Sequence, residues 1–231
     1  PHAPNTNSPQ ALQAAAAISK KYGVPISLHL SEMDYEIRHF QEKYGKTPVA
    51  FLADLGVLSE RLTAAHCIHV TPDDIALLKQ NDVAVAHCIG ANTKSAKGVA
   101  PVKAMLEAGI RVGLGTDGPS SGNTLDLFVQ MRMFANFHKT HLQDRAAFPA
   151  RDIVRLATLG GAEVLGLADK IGSLETGKKA DIVLVETDSA NMFPIFDPYA
   201  VLVYSAHAGN VSDVFINGVP IVSGKQLLTQ D

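Results

Sequence analysis

The chain has 231 residues, 46% of them hydrophobic and 19% charged, with a formal net charge of −3. This is a globular composition with room for a substantial core. The absence of any basic stretch removes electrostatic support for nucleic-acid binding, and no apolar run approaches the roughly 20 residues that span a bilayer. No basic-then-apolar leader is present, so a cytoplasmic protein without a secretion signal is expected. The opening Pro1-His2, without a methionine, marks the chain as an expected processed, trimmed or partial piece.

In chain order, Ser8 is placed to cap a helix that Pro9 opens, and Tyr22-Gly23 closes it. A strand is expected over residues 24–30. Ser31 and Asp34 read as a variant capping box for a helix reaching Tyr44, with Gly45 as its stop. Thr47-Pro48 starts a further helix ending near Leu55-Gly56, and residues 62–66 form the next strand. Thr71-Pro72-Asp73-Asp74 is a helix start with an acidic first turn. A strand over 83–87 follows, then a loop over 89–98, a helix opened by Pro101 and a strand over 110–116. Helices are expected over 125–138 and 151–159. The repeating strand–helix order suits a parallel barrel or an open doubly wound sheet. Beyond about Gly166 helices are not expected. Strands over 180–186 and 211–222 remain, the latter a hairpin with an Asn217-Gly218 turn.

Four apolar runs stop on a residue capable of metal or proton chemistry: Ile26-Ser27-Leu28-His29, Leu62-Thr63-Ala64-Ala65-His66, Val83-Ala84-Val85-Ala86-His87 and Val112-Gly113-Leu114-Gly115-Thr116-Asp117. In a parallel sheet all strands end on one side, so three imidazoles and a carboxylate converge there, a set suited to a divalent metal and an activated water. His29 is spaced to bind the metal while Glu32, one helical turn on, handles the water's proton; the competing reading makes Glu32 a helix-start charge. His66 stands where a second ligand or a group polarising the substrate is expected. His69 either lines the mouth or bonds the backbone. For His87, substrate contact competes with a satisfied core histidine. Asp117 between glycines is costly to bury without a cation or hydrogen bonds, and an Asp-Gly turn is its alternative. His39, His138, His141 and His207 read as surface or packing residues. Cys67 and Cys88 read as small buried thiols. The lack of CxxC spacing argues against cysteine-held zinc.

These motifs together resemble the amidohydrolase superfamily, in particular its methylthioadenosine/S-adenosylhomocysteine deaminase and atrazine-chlorohydrolase-like branch. The resemblance is carried by Pro1-His2-Ala3-Pro4 with Ser8-Pro9, His29-Leu30-Ser31-Glu32, Ala65-His66-Cys67-Ile68-His69 and His87-Cys88-Ile89-Gly90-Ala91-Asn92-Thr93-Lys94. Gly98-Val99-Ala100-Pro101, Gly115-Thr116-Asp117-Gly118 and the stretch from Gly172 to Val183 complete it. It implies an α/β fold: the second half of a TIM-type (β/α)8 barrel over 1–166, with part of a small β-sandwich over 167–231. It also implies roles: His29 and Asp117 as metal ligands, Glu32 as acid/base, His66 as the group polarising the reacting bond, and Asp117 as hydrogen-bond partner of the nucleophile. His2 falls where family members contact the ribose or its equivalent, and His69 and His87 join it as candidate substrate contacts.

The implied cofactor is zinc, with iron as the alternative. The family's two further metal histidines form an HxH pair that is absent from this chain. Ile89 stands where the family often has proline. The implied reaction is hydrolysis of a C–N bond in an aminated N-heterocycle, an adenosine derivative foremost, through metal-activated water. The alternatives are a chlorohydrolase or guanine-type deaminase, or a non-catalytic scaffold module. The 231 residues are expected to be a C-terminal fragment, inactive alone. They are expected to act on a small molecule as a homo-oligomer or by pairing with a missing N-terminal half, and to engage neither nucleic acid nor membrane.

Overall fold

The structure, a computed structural model, describes residues 1–229 and divides into two compact units, Pro1–Gly113 and Leu114–Asp231. In the first, α1 (Pro9–Tyr22) begins as expected: the Ser8 hydroxyl accepts from the Ala11 N–H, and Gly23 turns the chain out at φ +66. β1 (Ile26–Leu30) follows, then α2 (Asp34–Tyr44), α3 (Pro48–Asp54), β2 (Leu62–His66) and α4 (Pro72–Gln80). β3 (Ala84–His87), α5 (Ile89–Lys94), α6 (Val102–Glu107) and β4 (Val112–Leu114) complete the series. Thr47 and Thr71 cap α3 and α4 through their hydroxyls, as the Thr-Pro starts predict.

Strands β1 and β2, and β2 and β3, pair in parallel, and the sheet order is β1-β2-β3-β4. Each strand lands beside its predecessor. That one-way winding builds a barrel wall, whereas a doubly wound sheet reverses its order, so the first of the two topologies holds. One face of β1 and β2 is sealed by Ile26, Leu28, Leu30, Leu62 and Ala64, all buried. The strands are short because their tips leave extended geometry: Ser31, His66 and Cys67 have φ of 50, 71 and 47.

Two local expectations are corrected here. The cap of α2 is Met33 rather than Ser31. The Met33 N–H donates to Glu36 Oε1 at 3.2 Å, while Ser31 is buried and its carbonyl accepts from Ile68 N and His69 N. The expected loop over 89–98 begins instead as the helix α5. Its Gly, Asn and Thr favour helix weakly, but Ile89, Gly90, Ala91 and Asn92 are all buried, and packing overrides propensity.

The second unit holds α7 (Pro119–Gly122), α8 (Leu127–Leu142), α9 (Ala150–Arg155) and α10 (Gly161–Val164), with a π-helical turn at Leu156–Gly160 between the last two. Asp126 caps α8 by accepting from Phe128 N and Val129 N. β5 (Ile182–Val185), β6 (Val211–Ile216), β7 (Val219–Ser223) and β8 (Gln226–Leu227) form an antiparallel sheet in that order. Asn217 and Gly218 turn β6 into β7 at φ 53 and 78, the left-handed pair that a two-residue hairpin requires. Against expectation, this region contains a helix, α11 (Pro198–Tyr204). Its start was legible in Asp197-Pro198, since the Asp197 carboxylate accepts from Tyr199 N.

Candidate active site

The parallel register sets the site. His29 pairs with Ala65 and Leu30 with His66, so two imidazoles stand at one end of adjacent strands, with ring centroids 5.2 Å apart and nearly stacked. Ala65 pairs with Ala86, so His87 closes the next strand at the same end, where it is fully buried.

His29 is held by the chain's first residues. Its backbone N–H donates to the His2 carbonyl at 3.0 Å, and its ring Nδ1 meets the same oxygen at 2.9 Å. A carbonyl oxygen can only accept, so Nδ1 carries a proton, and in the neutral ring the lone pair is on Nε2. This tautomer is the one a metal-ligating histidine needs, with its orientation fixed from behind. The donor chemistry therefore suits a transition metal. The His2 ring lies against His29 at 4.6 Å and is steadied by Thr6 Oγ1 at 3.1 Å.

His66 is buried, and its Nδ1 lies 2.7 Å from Asn92 Oδ1 on α5. Its other nitrogen, Nε2, faces Glu32, 3.7 Å from Oε1. Glu32 also accepts from Lys97 Nζ, with only 16% and 14% of the two side chains exposed. Behind Glu32, Glu36 braces the turn through the Met33 N–H, and burial pushes its carboxyl group above the ordinary carboxylate range. His69 lies on a hollow of about 370 Å³ shared with Met33, Asp34, Ser95, Ala96 and Lys97. Its backbone N–H donates to the Ser31 carbonyl at 2.9 Å.

Cys67 and Cys88 are buried thiols outside any disulfide, and burial drives the Cys67 thiol far above its usual range, which makes it no nucleophile at neutral pH. His138 is a packing residue between Phe134 and Phe148, with its pKa pushed down to about 4 by burial.

The sequence-predicted residues His2, His29, Glu32 and His66 thus form one cluster in the first unit, with His69 and His87 at the same end of the sheet. Asp117 belongs to the second unit. It lies three residues beyond β4, at φ 58, and its Oδ1 accepts from Gly118 N at 2.8 Å. Two site residues went unread: Asn92, which orients His66, and Lys97, which grips Glu32. Asn92 sat inside a quoted motif without a role. Lys97 carried no local signal at all, because its partner lies 65 residues away.

Comparison with known proteins identifies the family and the fold. Residues 1–221 match the model of the Amidohydrolase family. The 5-methylthioadenosine/S-adenosylhomocysteine deaminase of Moorella thermoacetica is 43% identical over 231 residues, covering 100% of this chain and 54% of that protein. Its counterpart from Syntrophobacter fumaroxidans is 39% identical, with 53% of that protein covered. The crystal structure of an adenosine deaminase from Xanthomonas campestris with bound zinc superposes with a TM-score of 0.96 at 35% identity, over 100% of this chain and 53% of that one. Atrazine chlorohydrolase from Arthrobacter aurescens, complexed with zinc, gives 0.89 at 30% identity, over 97% and 50%. The chain spans about half the length of the curated relatives it matches. On this evidence the four-stranded parallel sheet is the C-terminal half of the barrel found in those structures, and the chain belongs to the amidohydrolase family.

Proposed function

We propose that the parent protein is a metal-dependent deaminase that hydrolyses a C–N bond of an aminated N-heterocycle, with adenosine derivatives as the leading substrates. The observation that carries this reading is the Glu32 carboxylate 3.7 Å from His66 Nε2, beside a His29 whose tautomer is locked for ligation. The relatives named above supply the substrate class.

In this reading His29 and Asp117 hold a divalent cation, zinc before iron. When bound, the metal lowers the pKa of a water towards ~7. Glu32 would take a proton from the attacking water and return it to the departing nitrogen, which would leave as ammonia. His66 steadies the charge that develops on the heterocycle, oriented for this by Asn92. Asp117 accepts a hydrogen bond from the attacking water. His2, His69 and His87 contact substrate.

Residues 1–166 serve as the barrel portion and 167–231 as the sandwich portion of a cytoplasmic enzyme that works as a homo-oligomer or with its N-terminal half. No helix among the described residues is long and apolar enough to cross a membrane. Alone, the 231 residues lack enough ligands for tight metal binding, since the two further histidines expected of the family are not among them.

The test is ammonia release by the full-length parent from adenosine, methylthioadenosine, S-adenosylhomocysteine and guanine, alongside chloride release from a chlorotriazine. Turnover of an adenosine derivative with bound zinc is expected. Chloride release alone transfers the reading to a chlorohydrolase, and a metal-free, inert parent makes the chain a scaffold. Stoichiometric zinc with turnover in the 231-residue chain itself would overturn the claim that it is inactive alone.

A further inference from the structure

We propose that Lys97 is a positioning residue for Glu32, and that the short segment 92–97 sets Glu32 and His66 relative to each other. The proposal rests on the reading of Glu32 as the proton carrier. Glu32 lies on the turn between β1 and α2, and His66 at the tip of β2. The segment at the end of α5 reaches both. The Asn92 side chain meets His66 Nδ1 at 2.7 Å, the Asn92 carbonyl accepts from the Lys97 N–H at 2.9 Å, and the Lys97 ammonium grips Glu32 Oε1. Each bond fixes the next, and the same carboxylate oxygen faces His66 Nε2 at 3.7 Å.

The segment is itself tightly seated. Ala96 takes φ 52, and Gly98 takes φ 125 with its Cα so close to the strand-tip turn that an added Cβ would lie 2.9 Å from Ile68 Cγ2. An ammonium on a four-carbon stem is ordinarily solvated. Here it is largely buried and spent on one carboxylate, which stabilises the pair only if the geometry is held. A lysine fixed in this way restrains the rotamer of the group through which the proton passes, and an error of about 1 Å at such a group costs up to roughly 100-fold in rate.

Two measurements on the full-length enzyme test the proposal. In the first, lysines are acylated by an amine-reactive reagent and read residue by residue by mass spectrometry. Lys97 is expected to react far more slowly than the exposed Lys20 and Lys103, and to rise to their rate in Glu32→Gln. Reaction at the exposed rate in the parent, or no change in Glu32→Gln, overturns the pairing. In the second, Lys97→Met is expected to lower kcat by about 10- to 100-fold with KM little changed, and Lys97→Arg to recover most of it. In the Glu32→Gln background Lys97→Met should add nothing, because the lysine acts only through that carboxylate. A parental kcat in Lys97→Met, or an additive loss in the double variant, overturns the positioning role. Parental kcat in Glu32→Gln defeats the reading of Glu32 and the catalytic consequence with it, while the labelling still decides whether the pair forms.

Discussion

The two sheets use the same secondary structure for opposite ends. In the parallel sheet, β1 and β2 alternate fully buried residues with others, and every tip from β1 to β3 carries an imidazole or its immediate support. In the antiparallel sheet no residue of β5 to β8 is fully buried, and Val183, Ile216 and Val219 are more than half exposed. A sealed face holds strand ends in register to fractions of an ångström, which is what proton transfer between fixed groups demands. A sheet without such a face supplies no comparable anchor, and no candidate site residue lies on it.

Substitutions should separate these roles. The largest effect is expected at the tips of the parallel strands. In the full-length enzyme, Glu32→Gln should cost about 10²- to 10⁴-fold in kcat without loss of folding, measured by steady-state kinetics and circular dichroism. Next, Leu62→Ala, which opens the fully buried face of β2, should lose about 2–5 kcal/mol in chemical denaturation, whereas Val219→Thr on β7 should stay within about 0.5 kcal/mol. Equal losses at the two positions would erase the contrast between the sheets.

A third effect tests the helices of the second unit. Burial holds the His138 pKa down to about 4, below its ordinary 6.5, and nearby His141 adds to the shift. The unfolded chain therefore takes up a proton that the folded chain refuses. Stability is full above about pH 6.5 and falls as the pH drops towards 4, by roughly 3 kcal/mol in all. Denaturation midpoints across that window should show the slope, and His138→Phe should flatten it.

The smallest effects compare two left-handed glycines. Gly98→Ala, strained and clashing with Ile68, should cost about 1–3 kcal/mol and lower kcat through Lys97. Gly218→Ala in the exposed hairpin, where the nearest atom is 4.0 Å from the added carbon, should cost about 1 kcal/mol and leave kcat unchanged.

What could be read from residues alone had short-range causes. Ser8, Thr47 and Thr71 cap their helices because the hydroxyl reaches an N–H three residues on. The Asn217-Gly218 turn follows from two left-handed residues in sequence. The misreadings lay where distant packing outvoted local preference. Buried Asn92 and its neighbours became α5 despite weak helix formers, and Glu36, not Ser31, satisfied the start of α2. The missed α11 is different, since Asp197-Pro198 did carry a start signal.

The strand-end histidines, the starts of α1, α3 and α4 and the hairpin were thus determined by the order of residues, since each rests on periodicity or a hydrogen bond spanning a few positions. Tertiary structure alone decided which nitrogen of His29 is protonated, that Asn92 would orient His66, and that Lys97 would reach Glu32. Those contacts join residues 26 to 65 positions apart. They exist only once the parallel sheet has brought its tips together and removed enough water to make a single partner count.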